Sequence, residues 1–236
     1  MPIPTVHRLY LLLSAVLLSA CGGGAGSPVA PSATPTPAAT PAATARYSVT
    51  FEPTWSEASH PTDFPGNAHF SPLIGGTHSA RVQFWRPGAP ATEGIQAMAE
   101  RGRTSPLDAE VEAAIAAGTA QAVQRGGSID RLPGSTSFEL DVSRDFPLVT
   151  LVTMVAPSPD WFVGVHDLDL LAGGDWAAER RVVLYPYDAG TDDGATYAAP
   201  DLAARPHAAI APLEGAPVAH LGRVAPFGQF VFKRLR

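Results

Sequence analysis

The chain has 236 residues, with 16 Lys and Arg against 22 Asp and Glu, a net charge of −6. That balance, with no basic run anywhere, excludes an electrostatic nucleic-acid binder. The only cysteine is Cys21, which excludes an internal disulfide framework and a cysteine-based zinc cluster.

The first twenty residues carry one Arg, one His and the apolar run "LYLLLSAVLLSA". A run of that length fits a signal peptide and falls short of the roughly 20 apolar residues that span a bilayer. It ends in Leu18-Ser19-Ala20-Cys21, which resembles the bacterial lipobox, where the Cys thiol takes a diacylglycerol. Residues 1–21 are therefore expected to be a lipoprotein signal ending at lipidated Cys21. Stable anchoring takes more than one acyl chain, and the lipoprotein pattern supplies two or three. Gly22 rather than Asp follows the Cys, which by the same resemblance favours the outer membrane if the cell has one. Cleavage removes one base, Arg8, and no acid, taking the charge to −7.

Residues 22–45 contain no charge before the domain and no large apolar side chain beyond Val29. Such a segment cannot bury enough surface to offset its chain entropy, so a disordered, Pro-stiffened tether is expected. Residues 46–236 then form one folded domain of ordinary size.

Within that domain most segments read as short strands. "YSVTF" and "ARVQFW" alternate, and so does "STSFELDVS", with Phe138, Leu140 and Val142 on one face. "LVTLVTMV" is nearly continuously apolar, as a strand covered on both faces should be. "WFVGVHDL", "RRVVLYP" and "GQFVFKRL" add three more. Two helices interrupt the pattern. In "TEGIQAMAERG", Thr92 is the expected N-cap and Gly102 the stop. "SPLDAEVEAAIAAGTAQAVQRGG" has Ser105 as cap, Pro106 at the first helical position, and Gly126 and Gly127 as its end. Leu107, Val111, Ile115 and Ala122 would form its packed stripe. The expected fold is all-β, an antiparallel sandwich with two peripheral α-helices.

The run "YPYDAGTDDGATY" leaves a strand and crowds Asp188, Asp192 and Asp193 into six positions. Two like charges about 4 Å apart repel by roughly 1–4 kcal/mol near a protein surface. Either the turn splays into water or a cation sits among the oxygens. The spacing is not that of an EF-hand, because Asp193 stands at the sixth position where glycine is required.

These motifs, taken with "YSVTFEPTWSEASHPTDFPGNAHFSPLIGGTHS", "TEGIQAMAERG" and "MVAPSPDWFVGV" in that order, resemble the spondin N-terminal domain. That is the F-spondin and mindin module of animal extracellular matrix. The resemblance implies a C2-like sandwich with calcium held in loops at one end. Carried over by motif, its ligands would be Asp160 of "SPDW" and Asp188 and Asp192 of "DAGTD". Asp193 stands where the family commonly has no acid and takes no role. Calcium accepts 6–8 oxygens, mixing carboxylates, carbonyls and waters, so loops that converge from two strands suit it.

The histidines His60, His69 and His78 recur every nine residues in a Pro- and Gly-rich stretch without fixed geometry, and are expected to be structural. Trp55, Trp85, Trp161 and Trp176 are expected in packing, with indole N–H groups on loop carbonyls. Ser79 beside His78 is a sequence neighbour only, and no catalytic motif is present. The expected function is a calcium-binding, lipid-anchored binding or adhesion module at the cell envelope, with an unidentified protein or glycan ligand. The alternative is a hydrolase or an envelope-structural lipoprotein that keeps the sandwich as scaffold. Disulfides and thrombospondin-type repeats, which accompany the domain in animals, are absent, so integrin binding is not carried over.

Overall fold

A computed structural model describes residues 42–236. Cys21, and with it the lipidation reading, lies outside the described residues. Fifteen strands and two helices follow in chain order. They are β1 (Thr44–Pro53), β2 (His69–Phe70), β3 (Ile74–His78), α1 (Glu93–Arg101), α2 (Leu107–Ala116), β4 (Ala120–Arg125) and β5 (Thr136–Ser143). Next come β6 (Leu148–Ala156), β7 (Trp161–Asp169), β8 (Leu171–Ala172), β9 (Asp175–Trp176) and β10 (Glu179–Leu184). The last five are β11 (Tyr187–Asp188), β12 (Ala211–Pro212), β13 (Ala219–His220), β14 (Arg223–Val224) and β15 (Gly228–Arg234).

The strands build two main antiparallel sheets, as the sequence pattern requires, and two separate two-stranded hairpins, β8–β9 and β13–β14. One has the order β10-β15-β1-β5; the other runs β12-β11-β7-β6-β3-β4, with β2 added against β6. In β1, Ala45, Tyr47, Val49 and Phe51 are buried while the residues between them face outward, the period of two that a half-covered strand shows. They meet Phe230 and Phe232 of β15 and Val149, Leu151 and Val155 of β6 in the core between the sheets. The other face of β6 presents Val152, Met154 and Ala156 to a second core closed by α1 and α2. Two cores on two faces are why β6 reads as an unbroken apolar run. Among the described residues both cores lie within 44–234, and Thr40–Arg236 forms one compact unit.

The first helix is capped as expected: the Thr92 side chain accepts from the Ile95 N–H, and Gly102 closes it with φ 62°. The second differs from expectation. It ends at Ala116, Gly118 takes φ +66°, and the Thr119 hydroxyl donates to the Ala114 carbonyl. Ala120–Arg125, expected as the rest of that helix, is instead β4, paired to β3. Ala122 therefore leaves the helical stripe, whereas Leu107 and Val111 are fully buried in it. Ser105 makes no capping bond to the backbone, since the cap position is Pro106.

"ARVQFW" is not a strand either. Phe84 and Trp85 are adjacent in sequence yet both bury in the helix-side core, which the alternating faces of a strand forbid. Conversely "IGGTH", punctuated by two glycines, is the wholly buried strand β3. A Cβ on Gly75 would lie 1.9 Å from the Thr150 carbonyl oxygen, and one on Gly76 2.8 Å from Val111 Cγ1. Those glycines let β6 on one side and α2 on the other approach the backbone. Finally, β1 begins at Thr44, and the Ala42 carbonyl accepts from Trp176 Nε1 at 2.9 Å, so the folded unit starts a few residues before 46.

Candidate metal centre

The two acid-bearing loops meet because β11 pairs with the start of β7, placing Asp188 opposite Trp161. The Ala189 N–H donates to the Asp160 carbonyl at 3.2 Å, which locks the loop after β11 onto the "SPDW" turn. Asp160 is completely buried. Its Oδ2 accepts from Thr191 N at 2.7 Å, Thr191 Oγ1 at 3.2 Å and Asp192 N at 3.1 Å. Its Oδ1 has no hydrogen-bond partner.

An ionised oxygen left unpaired in the interior is unfavourable, and the site shows that cost. Burial pushes the Asp160 carboxyl up to about 6, with the nearby charge of Asp188 adding to it and the Thr191 and Asp192 N–H groups opposing it. Asp188 is also raised, first by burial, then by the charges of Asp192 and Asp193, against the Gly190 N–H that donates to its Oδ1 at 2.7 Å. The acids thus sense one another across two loops.

Asp192 is held differently. Its Oδ1 accepts from Gly194 N at 2.8 Å and its Oδ2 from Leu202 N at 2.7 Å, so both oxygens fasten the loop. Each retains a further lone pair. Among the described residues no three His, Cys, Asp or Glu side chains stand together as a ready ligand set, and the three aspartates do not form one by themselves. Asp193 is exposed, and only its backbone is tied, to Leu202. Gly190, at φ +74°, comes so close to the chain that a Cβ there would lie 2.5 Å from the Ala208 carbonyl oxygen. A shallow cavity of about 350 Å³ opens at this point, lined by Asp188, Asp192, Asp193, Gly190, Gly194 and Leu213 among others. Beneath lie Trp161, Tyr197 and Trp55, with ring centroids 5.2 and 5.4 Å apart in succession.

The donor set suits a hard cation. A buried orphan carboxylate oxygen, a second raised carboxylate beside it and two more acids at the rim all favour positive charge, and the chemistry is oxygen alone. Thr191 is the residue the sequence reading missed. It sits inside the quoted "DAGTD" motif, but a threonine gives no sign that its N–H and hydroxyl both serve one buried carboxylate.

The histidines are structural, as expected. His60 bonds Ser59 Oγ (2.8 Å) and the Ala225 carbonyl (3.2 Å); His69 bonds the Asn67 carbonyl (2.8 Å); His78 bonds Thr150 Oγ1 (2.8 Å) and the Ser79 carbonyl (3.0 Å). Ser79 donates its hydroxyl to the Thr119 carbonyl, so it does not pair with His78. All four tryptophans are buried. Only Trp176 places its indole N–H on a carbonyl; those of Trp55, Trp85 and Trp161 are buried without a hydrogen-bond partner, contrary to expectation.

A two-sheet antiparallel sandwich with an oxygen-lined acidic rim at one end is the class of domain defined here. The Spondin_N family model matches residues 45–224, and the chain belongs to the spondin N-terminal domain family. It is 36% identical to human spondin-2 over 224 residues, covering 93% of this chain and 65% of spondin-2. It is equally 36% identical to human spondin-1 over 175 residues, covering 72% of this chain and 22% of spondin-1. The chain thus spans about two thirds of the one relative and under a quarter of the other. Among the described residues no helix is long and apolar enough to cross a membrane.

Proposed function

We propose that this domain is a calcium-binding recognition module, held to the cell envelope through lipidated Cys21 and acting outside the cytoplasm. Asp160 and Asp188 would hold the ion, and Asp192 would shape the loop around it with its remaining lone pairs available. The observation that carries the reading is the unpartnered Oδ1 of Asp160, fully buried beside the raised carboxylate of Asp188. A bound divalent cation supplies the positive charge that lets these oxygens stay ionised together. The chain's own part is to fix them: the Thr191 and Asp192 N–H groups orient Asp160, and the Gly190 N–H orients Asp188.

Binding rather than turnover is the favoured role, because the acids are gathered in two adjoining loops at one end and Ser79 and His78 are each committed to structural bonds. The ligand is a protein or a glycan met at the rim. Calcium should raise the melting temperature: an ion at about 100 times its dissociation constant adds roughly 2.7 kcal/mol. The test is a thermal melt in chelator and in calcium, for the wild type and for Asp188→Ala. Wild type should rise with calcium and Asp188→Ala should not; identical melts in every condition would remove the ion from the account.

A further inference from the structure

The turns at 64–69 and 130–132 enclose a cavity of about 720 Å³, against about 350 Å³ for the one at the acidic rim, with which it shares no residue. Both walls are fixed by backbone bonds. Phe70 and Ile129 exchange N–H···O bonds at 2.9 and 3.0 Å, and the Ala68 N–H donates to the Pro65 carbonyl at 3.1 Å. A Cβ on Gly134 would lie 2.8 Å from Ile129 Cγ2 and 2.9 Å from the Arg131 carbonyl oxygen, so the second turn is drawn tight around its glycine. Walls held this way are in place before a ligand arrives, and the volume falls in the range of roughly 300–1,000 Å³ typical of small-molecule sites.

The lining sets donors and acceptors side by side. His69 Nδ1 bonds the Asn67 carbonyl at 2.8 Å; a carbonyl can only accept, so Nδ1 carries the proton and Nε2 is left as an acceptor. Asp130 accepts the Ser128 hydroxyl on Oδ1 at 2.6 Å, leaving Oδ2 for a ligand. The exposed Asn67 amide and Arg131 guanidinium supply N–H donors. Phe64, half-buried against Trp55, and Leu132 give the apolar surface. The charges around the cavity do not call for an acidic ligand. Asp130 and Arg131 offset each other, and the cavities that share Phe64 with this one bring in Glu57 and Asp63. The cavity that shares His69 and Asp130 brings in Arg101, which is already paired with Glu100. A ligand without net charge suits these surroundings.

We propose that this cavity is a second recognition site, separate from the ion, and that it binds a short neutral oligosaccharide. A sugar hydroxyl donates and accepts at once, so it bridges the Asp130 carboxylate or His69 Nε2 to the Asn67 amide or Arg131 guanidinium. The C–H face of the sugar ring then lies on Phe64 and Leu132, the apolar wall with a few placed polar groups that such sites use. A polypeptide partner fits less well: a stable protein interface buries roughly 1,000 Å² or more, and the large apolar side chains here are only Phe64 and Leu132.

The experiment is saturation-transfer NMR on the full chain in chelator, with maltotriose, cellotriose and triacetylchitotriose as probes. At least one of them should receive saturation with no calcium present, and sialyllactose, which carries a carboxylate, should receive none. Asp130→Asn and Asn67→Ala change exposed side chains and keep the backbone carbonyl that His69 bonds, so both should melt as the wild type does. Each should weaken binding of the accepted probe about tenfold. Any calcium-induced rise in melting temperature should be the same in both as in wild type. Asp188→Ala, which disables the proposed ion site, should bind the sugar as wild type does, so failure here and failure of the ion are told apart. Transfer to none of the three probes, equal transfer to sialyllactose, binding unchanged in both variants, or binding that needs calcium would each overturn the proposal.

Discussion

Asp160 concentrates the chemistry of the domain in one side chain, and its substitution by Asn should separate the two forces acting on it. In chelator at neutral pH, Asp160→Asn removes a buried charge facing Asp188 and should be at least as stable as wild type. In calcium it should fall behind, because the proposed ion would lose a ligand. The pH dependence has a definite sign. The folded carboxyl titrates at about 6, above the ordinary 3.8, so its contribution to stability is complete below 3.8 and is lost as pH rises through about 6. The advantage of Asp160→Asn in chelator should therefore vanish on acidification across that window, read as the difference between the two melting temperatures. His60 and His78 act in the opposite sense: burial lowers both below 6.5, so what they contribute is lost as pH falls below that value. Taking the difference between variants cancels them. At this scale the sequence disclosed the aspartates, because carboxylates crowded near glycines are conspicuous. It did not disclose that Asp192 spends both oxygens on backbone N–H groups, since only the folded path of residues 194–202 brings those donors round.

Among the elements, legibility followed how far each segment's environment was local. β1, β5, β6, β7, β10 and β15 could be read from their alternation or continuous apolarity, because each repeats one environment along its length. β3 and β4 could not. Glycines signal turns when judged alone, and only the neighbours show that Gly75 and Gly76 are small so that β6 and α2 can close on them. The helical stripe through Ala122 failed for a related reason: Gly118 and Thr119 stop α2, and the edge of β3 recruits the next six residues as a strand. Gly76→Ala should cost about 1–3 kcal/mol by overpacking against Val111. Adding Val111→Ala should recover part of that loss despite being destabilising alone. A double-mutant cycle by chemical denaturation checks the sign of the coupling.

For the whole molecule, the decisive arrangement is the direction of β1. Its Pro53 end pairs with Gly228, while its Thr44 end pairs with Ser143. The acid-bearing loops and the β13–β14 hairpin belong to the Pro53 end, since Thr54 and Trp55 bond the Phe227 carbonyl and the Trp55 ring packs against Tyr197 at 5.4 Å between centroids. The polypeptide enters at the other end, where the Ala42 carbonyl meets Trp176 and Arg144. Ten extended residues, about 33 Å, separate the two. A ligand met at the acidic rim would thus be bound a strand's length from where the polypeptide joins the fold, so removing residues 1–41 should leave any calcium-induced rise in melting temperature unchanged.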